Sequence, residues 1–344
     1  MKKIVLLTLL AVFMTVALFG AGCGPKVQTV SQPAPIKVGL VLYPVGRGDG
    51  GVNDAAYNGL IKAQKDFGAA IETTLVEARS TNDLEKELRT LAQNQTALII
   101  AVGYYFSEPL PKVARDYPGT RFVLIDDTVP DLKAESNISC VTFNDNEGAF
   151  LAGAAAALKS QTGKIGFIGG VNIPVVKNFE TGYVAGARYI NPRIEVLSSY
   201  VATGIEGFND PDKAQNLAIK QFGDGADVIF EAAGLSGKGV FAAAAAQNKL
   251  AIGSDVDKSL AVPEAQRACI LTSIIKGIDG AVCDVIKRQI EKSLTGGYIE
   301  LGIKDGVQTY AENDINKTLL SSVKPRLDEL RDKIARQEIA VPKY

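Results

Sequence analysis

Short apolar runs recur along the chain, each followed by a stretch whose apolar positions are spaced three to four apart. Ile36–Tyr43 (IKVGLVLY), Ile71–Val76, Ala97–Val102 (ALIIAV), Arg121–Ile125 (RFVLI) and Ile138–Thr142 (ISCVT) read as strands. Between them, a helix is expected from a cap at Asn53/Asp54 to about Phe67, with further helices over Asp83–Gln93 and Lys112–Tyr117. The second half repeats the alternation. Lys164–Ile168, Glu195–Tyr200, Asp227–Glu231 and Leu250–Gly253 read as strands; Asn144–Leu158, Val175–Ile190, Pro211–Phe222 and Gly237–Gln247 read as helices. Strands alternating with helices predict an α/β fold of parallel sheets covered on both faces, and two such series predict two similar lobes. After about Ala268 the order changes. Cys269–Thr272 is strand-like and Ile274–Ile290 helical, Gly297–Ile303 and Val307–Tyr310 suggest a small hairpin, and Asn316 to about Arg336 reads as one charged helix.

Open parallel sheets bind ligands beyond the carboxyl ends of their strands. The loops at 44–54, 103–108, 126–131, 170–174, 201–210, 232–237 and 253–258 are therefore the expected site. In the first of them Gly46, Gly48 and Gly51 formally match GxGxxG. Asp49 would repel a pyrophosphate there, and the helix-capping pair follows the third glycine instead of preceding it. The loop reads better as a flexible cover over a ligand.

Composition narrows the chemistry. The chain of 344 residues has no histidine, which excludes Ser-His-Asp and Cys-His catalysis and every His-ligated metal site. Lys+Arg (37) and Asp+Glu (38) balance, so no basic excess points to nucleic acid. No metal or cofactor is expected. Lys2 and Lys3, the uncharged run Ile4–Phe19 and the small residues Gly20–Gly22 before Cys23 have the order of a signal peptide. The run is shorter than the roughly 20 residues needed to span a bilayer. The expectation is a signal peptide over 1–22, with Cys23 acylated as a membrane anchor and 23–35, rich in proline, as a tether. Cys140, Cys269 and Cys283 remain, and their number and spacing fit buried free thiols.

Eight segments then carry a resemblance. DGGVNDAAYNG (Asp49–Gly59), EGAFLAG (Glu147–Gly153), GKIGFIGG (Gly163–Gly170), FETGYVAG (Phe179–Gly186), GFNDPDK (Gly207–Lys213), AAGLSGKG (Ala232–Gly239), IGSDVD (Ile252–Asp257) and LTSIIK (Leu271–Lys276) are similar, in order, to motifs of the basic membrane protein (Bmp) family, which includes purine nucleoside receptor lipoproteins. The resemblance implies a solute-binding protein of an ABC importer with a two-lobed type I periplasmic-binding-protein fold and three hinge crossovers. The lobes would comprise 36–143 plus 273–293 and 144–272 plus 294–344. Its partners would be a small-molecule ligand, an ABC permease and, through Cys23, the membrane; its location would be extracytoplasmic.

The resemblance also implies a site. Tyr57, where phenylalanine is more usual, and Phe208 would sandwich a purine base. Asp145 would accept a hydrogen bond from the base edge, since a carboxylate only accepts. Asp255 and Lys276 would hold ribose hydroxyls, Gly234 would offer backbone N–H groups, and Asn53 would reach sugar or base. Asp54, Tyr104 and Phe179 are secondary contacts. The alternatives are another planar ligand (a free purine base or a vitamin), a nucleoside hydrolase using Asp126 and Asp127, or a surface antigen.

Overall fold

The computed structural model describes residues 34–344. The expected signal peptide, Cys23 and the tether up to residue 33 lie outside the described residues.

Strands β1 (Ile36–Leu42), β2 (Ile71–Glu77), β3 (Leu98–Val102), β4 (Arg121–Ile125), β5 (Ile138–Phe143) and β11 (Gly297–Leu301) form a parallel sheet in the order β11-β5-β4-β3-β1-β2. Strands β6 (Lys164–Val171), β7 (Glu195–Ala202), β8 (Val228–Ala232), β9 (Leu250–Gly253), β10 (Ile270–Lys276) and β12 (Gln308–Tyr310) form a second sheet, β12-β10-β9-β8-β6-β7. In it only β12 runs antiparallel, against β10.

Both sheets are covered on both faces, so their central strands can be apolar throughout. All five residues of β3 are buried. One face of the first sheet packs on α1 (Val52–Phe67) and α10 (Ile278–Ile290), the other on α2 (Leu84–Gln93) and α3 (Pro109–Asp116). The second sheet packs on α4 (Asp145–Lys159), α5 (Pro174–Ile190) and α12 (Lys324–Ala335), and on its other face on α6 (Pro211–Gly223) and α7 (Gly237–Ala246). Short helices α8 (Lys258–Ala261), α9 (Glu264–Arg267) and α11 (Lys317–Leu320) fill connections. The chain passes between the sheets three times: after β5, after β10 and between β11 and β12.

Four local expectations change. The hairpin does not form: Gly297–Leu301 adds to β5 in the first sheet, and Gln308–Tyr310 adds to β10 in the second. Lys304-Asp305-Gly306 can close either a hairpin or a 3-10 turn, and here it closes the turn, with Gly306 left-handed at φ 72°. The lobe assigned as 294–344 therefore gives one strand to the first sheet. Strand β10 runs on to Lys276 and α10 begins only after Gly277, because the β-branched residues Thr272, Ile274 and Ile275 extend the strand. The charged C-terminal helix is two helices, α11 and α12, separated at Ser321–Val323.

The cap of α1 also differs. Asn53 and Asp54 lie in the first turn instead of preceding it. The Asp49 carboxylate accepts from the backbone N–H groups of Gly51 (2.8 Å), Asn53 (3.0 Å) and Asp54 (3.1 Å). Those are the amides that a phosphate would need at a helix N-terminus. Asp49 fills that place, which removes the dinucleotide reading of the glycine-rich loop.

Candidate functional site

A cleft between the sheets is lined from both lobes, at the carboxyl ends of the strands. From the first lobe come Tyr43 after β1, Val52, Gly103, Tyr104 and Tyr105 after β3, and Asp126 after β4. From the second come Ile173, Val176 and Phe179 after β6, and Phe208 after β7. Gly234 follows β8, and Ser254 and Asp255 follow β9. The wall is mainly apolar and aromatic with a few converging polar groups, the usual make-up of a small-molecule site.

Two aspartates stand in matching places. Asp126 (φ 71°), just past β4, and Asp255 (φ 68°), two residues past β9, both take the left-handed region, which aspartate tolerates better than most residues. Gly103 (φ 97°) and Gly234 (φ 56°) use the same freedom beside them. At Gly234 the open space faces Phe208, whose Cβ lies 3.5 Å from where a side chain would begin.

Behind this wall lies a buried charge cluster on the hinge segments. Lys276 ends β10 and Asp145 begins α4, each beside a crossover between the sheets. Lys276 Nζ is 2.5 Å from Asp126 Oδ1 and 2.9 Å from Asp145 Oδ1, with all three side chains nearly fully buried. The ammonium also lies 5.1 Å from the Phe143 ring centre and 5.3 Å from that of Phe179, within cation–π range. The ion pairs are close but poorly aligned. Lys276 Nζ and Asp145 Oδ1 have no well-directed hydrogen-bond partner among the described residues. Buried polar groups are normally paired, so both keep capacity for a further partner.

Burial raises the carboxyls of Asp145 and Asp126, and the attraction of Lys276 only partly offsets it. Burial lowers Lys276, but Asp126, Asp145 and Asp255 outweigh it and hold the ammonium charged above its ordinary range. Burial and the Asp49, Asp255 and Asp126 carboxylates likewise push the Tyr43 hydroxyl well up, so it stays a neutral donor.

The structure brings Tyr104, Phe179, Phe208, Gly234 and Asp255 to the wall, with Lys276 and Asp145 directly behind Asp126. Asn53, Asp54 and Tyr57 do not line the cleft. Asn53 is fully buried and donates from Nδ2 to the carbonyls of Tyr43 (3.3 Å) and Gly46 (2.9 Å), bracing the glycine-rich loop. Asp54 accepts from the backbone of Gly48 and Gly50, both at 2.8 Å, and braces it from the other side. Tyr57 lies half-buried on α1, with the Arg47 guanidinium 4.7 Å from its ring centre. It lies five residues beyond Val52, about 140° further round the helix, on a different face of α1. The pattern reading missed Tyr43, Tyr105 and Ser254. Tyr43 is the last residue of the first predicted strand, and Tyr105 and Ser254 lie in the loops at 103–108 and 253–258 already expected to form the site, so their positions could have found them.

The sequence profile of the Bmp family, described as ABC transporter substrate-binding protein PnrA-like, matches residues 36–344. The chain belongs to the Bmp family. Basic membrane protein A1 of Borrelia garinii subsp. bavariensis is 34% identical over 299 residues, covering 86% of this chain and 85% of that protein. An uncharacterized lipoprotein of Pyrococcus abyssi is 33% identical over 316 residues, covering 85% of this chain and 75% of that one. The crystal structure of an ABC transporter system solute-binding protein from Aeropyrum pernix K1 superimposes with a TM-score of 0.78 at 28% identity, covering 90% of this chain and 94% of that chain. The Bmp protein described here is thus a substrate-binding protein of an ABC transporter, with the type I periplasmic-binding-protein fold. No helix among the described residues is long and apolar enough to cross a membrane.

Proposed function

We propose that this Bmp protein is a lipid-anchored receptor that captures a purine nucleoside between its lobes and delivers it to an ABC permease. The observation that carries the reading is the cleft itself: aromatic rings from both lobes and the Asp255 carboxylate, beside a buried cluster of two carboxylates and one ammonium. A planar base stacks on Phe208, with Tyr104 instead of Tyr57 as the second ring; each stacked ring contributes roughly 1–3 kcal/mol. Ribose hydroxyls, which both donate and accept, suit Asp255 and the free donors of Lys276. Asp126 and the Asp145 behind it take N–H groups of the base edge. A phosphate would meet the carboxylates before it met Lys276, so the site suits an uncharged ligand. The anchor rests on the run before Cys23 and on the lipoprotein relative from Pyrococcus abyssi.

The test is isothermal titration of the chain from about Gln32, unfolded and refolded to strip carried-over ligand. The titrants are guanosine, inosine, adenosine, cytidine, ribose and free guanine. Tight binding of a purine nucleoside, weakened about 10- to 100-fold in Phe208→Ala, is the expected result. Guanine binding as tightly as guanosine would remove the ribose contacts and favour a free base. No heat from any titrant would overturn the nucleoside reading and leave the family standing.

A further inference from the structure

A second buried ion pair lies outside the cleft wall, and none of the family motifs accounts for it. Glu231, on β8, is fully buried, and Lys258, which opens α8, is 3% exposed. Lys258 Nζ lies 3.7 Å from Glu231 Oε1 and donates to the carbonyl of Gly50 at 2.5 Å. Glu231 and Lys258 belong to the second lobe; Gly50 belongs to the glycine-rich loop of the first. The Glu231 carboxylate also accepts from the backbone N–H groups of Ala233 (3.0 Å) and Ser254 (3.2 Å). Those two amides start the turns that carry Gly234 and Asp255 into the cleft. One carboxylate thus ties two cleft loops to the lysine that reaches the opposite lobe.

Other observations support the arrangement independently. The room for both side chains exists only because two neighbours are glycines. A Cβ on Gly253 would stand 2.2 Å from Lys258 Cγ, and one on Gly237 would stand 2.5 Å from Glu231 Oε2. A weaker rung lies further out, where Lys238 Nζ is 3.4 Å from the Gly48 carbonyl. The loop is prepared to receive these contacts. Gly46, Gly48 and Gly50 all have positive φ, and Asp49, Asn53 and Asp54 brace its backbone from within.

We infer that Glu231 and Lys258 are positioning residues that latch the 44–51 loop, which connects the cleft-lining Tyr43 and Val52, to the second lobe and thereby slow ligand escape. Neither touches the ligand. Lys258 acts through the loop, and Glu231 acts through Lys258 and the Gly234 and Asp255 turns. The latch rests on the proposed function only in taking the cleft as the ligand site. A contact made when the lobes are together affects the dissociation rate more than the association rate.

Two measurements test it. The first needs no nucleoside. Amine labelling of the refolded chain, read by mass spectrometry, should modify Lys258 at least tenfold more slowly than the exposed Lys62, and Glu231→Gln should narrow that gap. Equal labelling of the two lysines in the wild-type chain would overturn the latch. The second uses guanosine as the probe, in stopped-flow dissociation. Lys258→Met leaves a buried carboxylate unpaired, so Lys258→Met/Glu231→Gln, which neutralises both, is made beside it. The double variant should release guanosine about tenfold faster, in keeping with the loss of one charge-assisted hydrogen bond, with association and the ligand-free Tm within error of wild type. Unchanged release from a folded double variant would overturn the latch. If wild-type protein gives no heat with guanosine, the nucleoside reading fails and the labelling result alone decides the latch.

Discussion

Lys276 meets two demands at once. It must remain charged while nearly fully buried, and for the proposed role it must leave donors for a ligand. Two carboxylates within 3 Å satisfy the first, and their poor alignment leaves the second open. Breaking one side of a buried ion pair costs about 3–5 kcal/mol, because the remaining charge is stranded. Lys276→Met is therefore expected to lower urea-unfolding stability by about that amount at neutral pH. Lys276→Met/Asp145→Asn should recover part of it; equal stability of the single variant and wild type would contradict the cluster. Glu231 gives a pH test. Burial raises its carboxyl to about 7 from 4.5, against the pull of Lys258 and two backbone N–H groups. The folded chain thus holds this proton more tightly than the unfolded chain. The stability it contributes is full below about pH 4.5 and is lost as pH rises through about 7, at most about 3 kcal/mol. Glu231→Gln should flatten that part of the pH–stability curve, and an unaltered slope would contradict the assignment.

At the scale of elements, the motif glycines find their reason in one helix pair. Helices α4 and α5 cross with their backbones in contact. A Cβ on Gly153 would stand 2.0 Å from the Tyr183 carbonyl oxygen, one on Gly182 2.1 Å from that of Asn146, and one on Gly186 1.9 Å from that of Phe150. These are backbone atoms and cannot swing aside. Gly186→Ala should destabilise the chain by about 3 kcal/mol or more in urea unfolding, despite alanine's better helix propensity. A change below about 1 kcal/mol would show that the helices can separate cheaply. In EGAFLAG and FETGYVAG the glycines could be read as motif but not as packing, since a close approach involves a partner far away in sequence. The misread hairpin has a similar cause. The alternation in Gly297–Leu301 fits any sheet edge, and only pairing with β5, far away in sequence, selects one. Elements with strong local signals, such as β1, β3 and α7, were legible to within a residue or two.

For the whole molecule, alternation alone was enough to predict two sheets, two lobes and the seven loops that could form a site. The cleft draws on all seven of those loops, on Tyr43, the residue before the first, and on Val175, Val176 and Phe179 at the start of α5. Which side chains turn inward was less legible. Tyr57 and Val52 share a helix, and which of them faces the cleft depends on where α1 starts. The Asp49 cap sets that start, one residue before the cap that pattern alone suggested. The hinge cluster was legible only as separate residues, because Asp126, Asp145 and Lys276 meet through the crossovers. Its placement has a consequence for closure. A ligand bound by both lobes and by a charge cluster on the hinge draws the lobes together only by its differential affinity for the closed form.

A crystal structure of the refolded chain grown with guanosine would decide whether the cleft holds a nucleoside. The account predicts a purine ring on Phe208, its edge toward Asp126 and the ribose within hydrogen-bond reach of Asp255 and Lys276. Nucleoside bound elsewhere, or a cleft that stays free of it at saturating concentration, would contradict it.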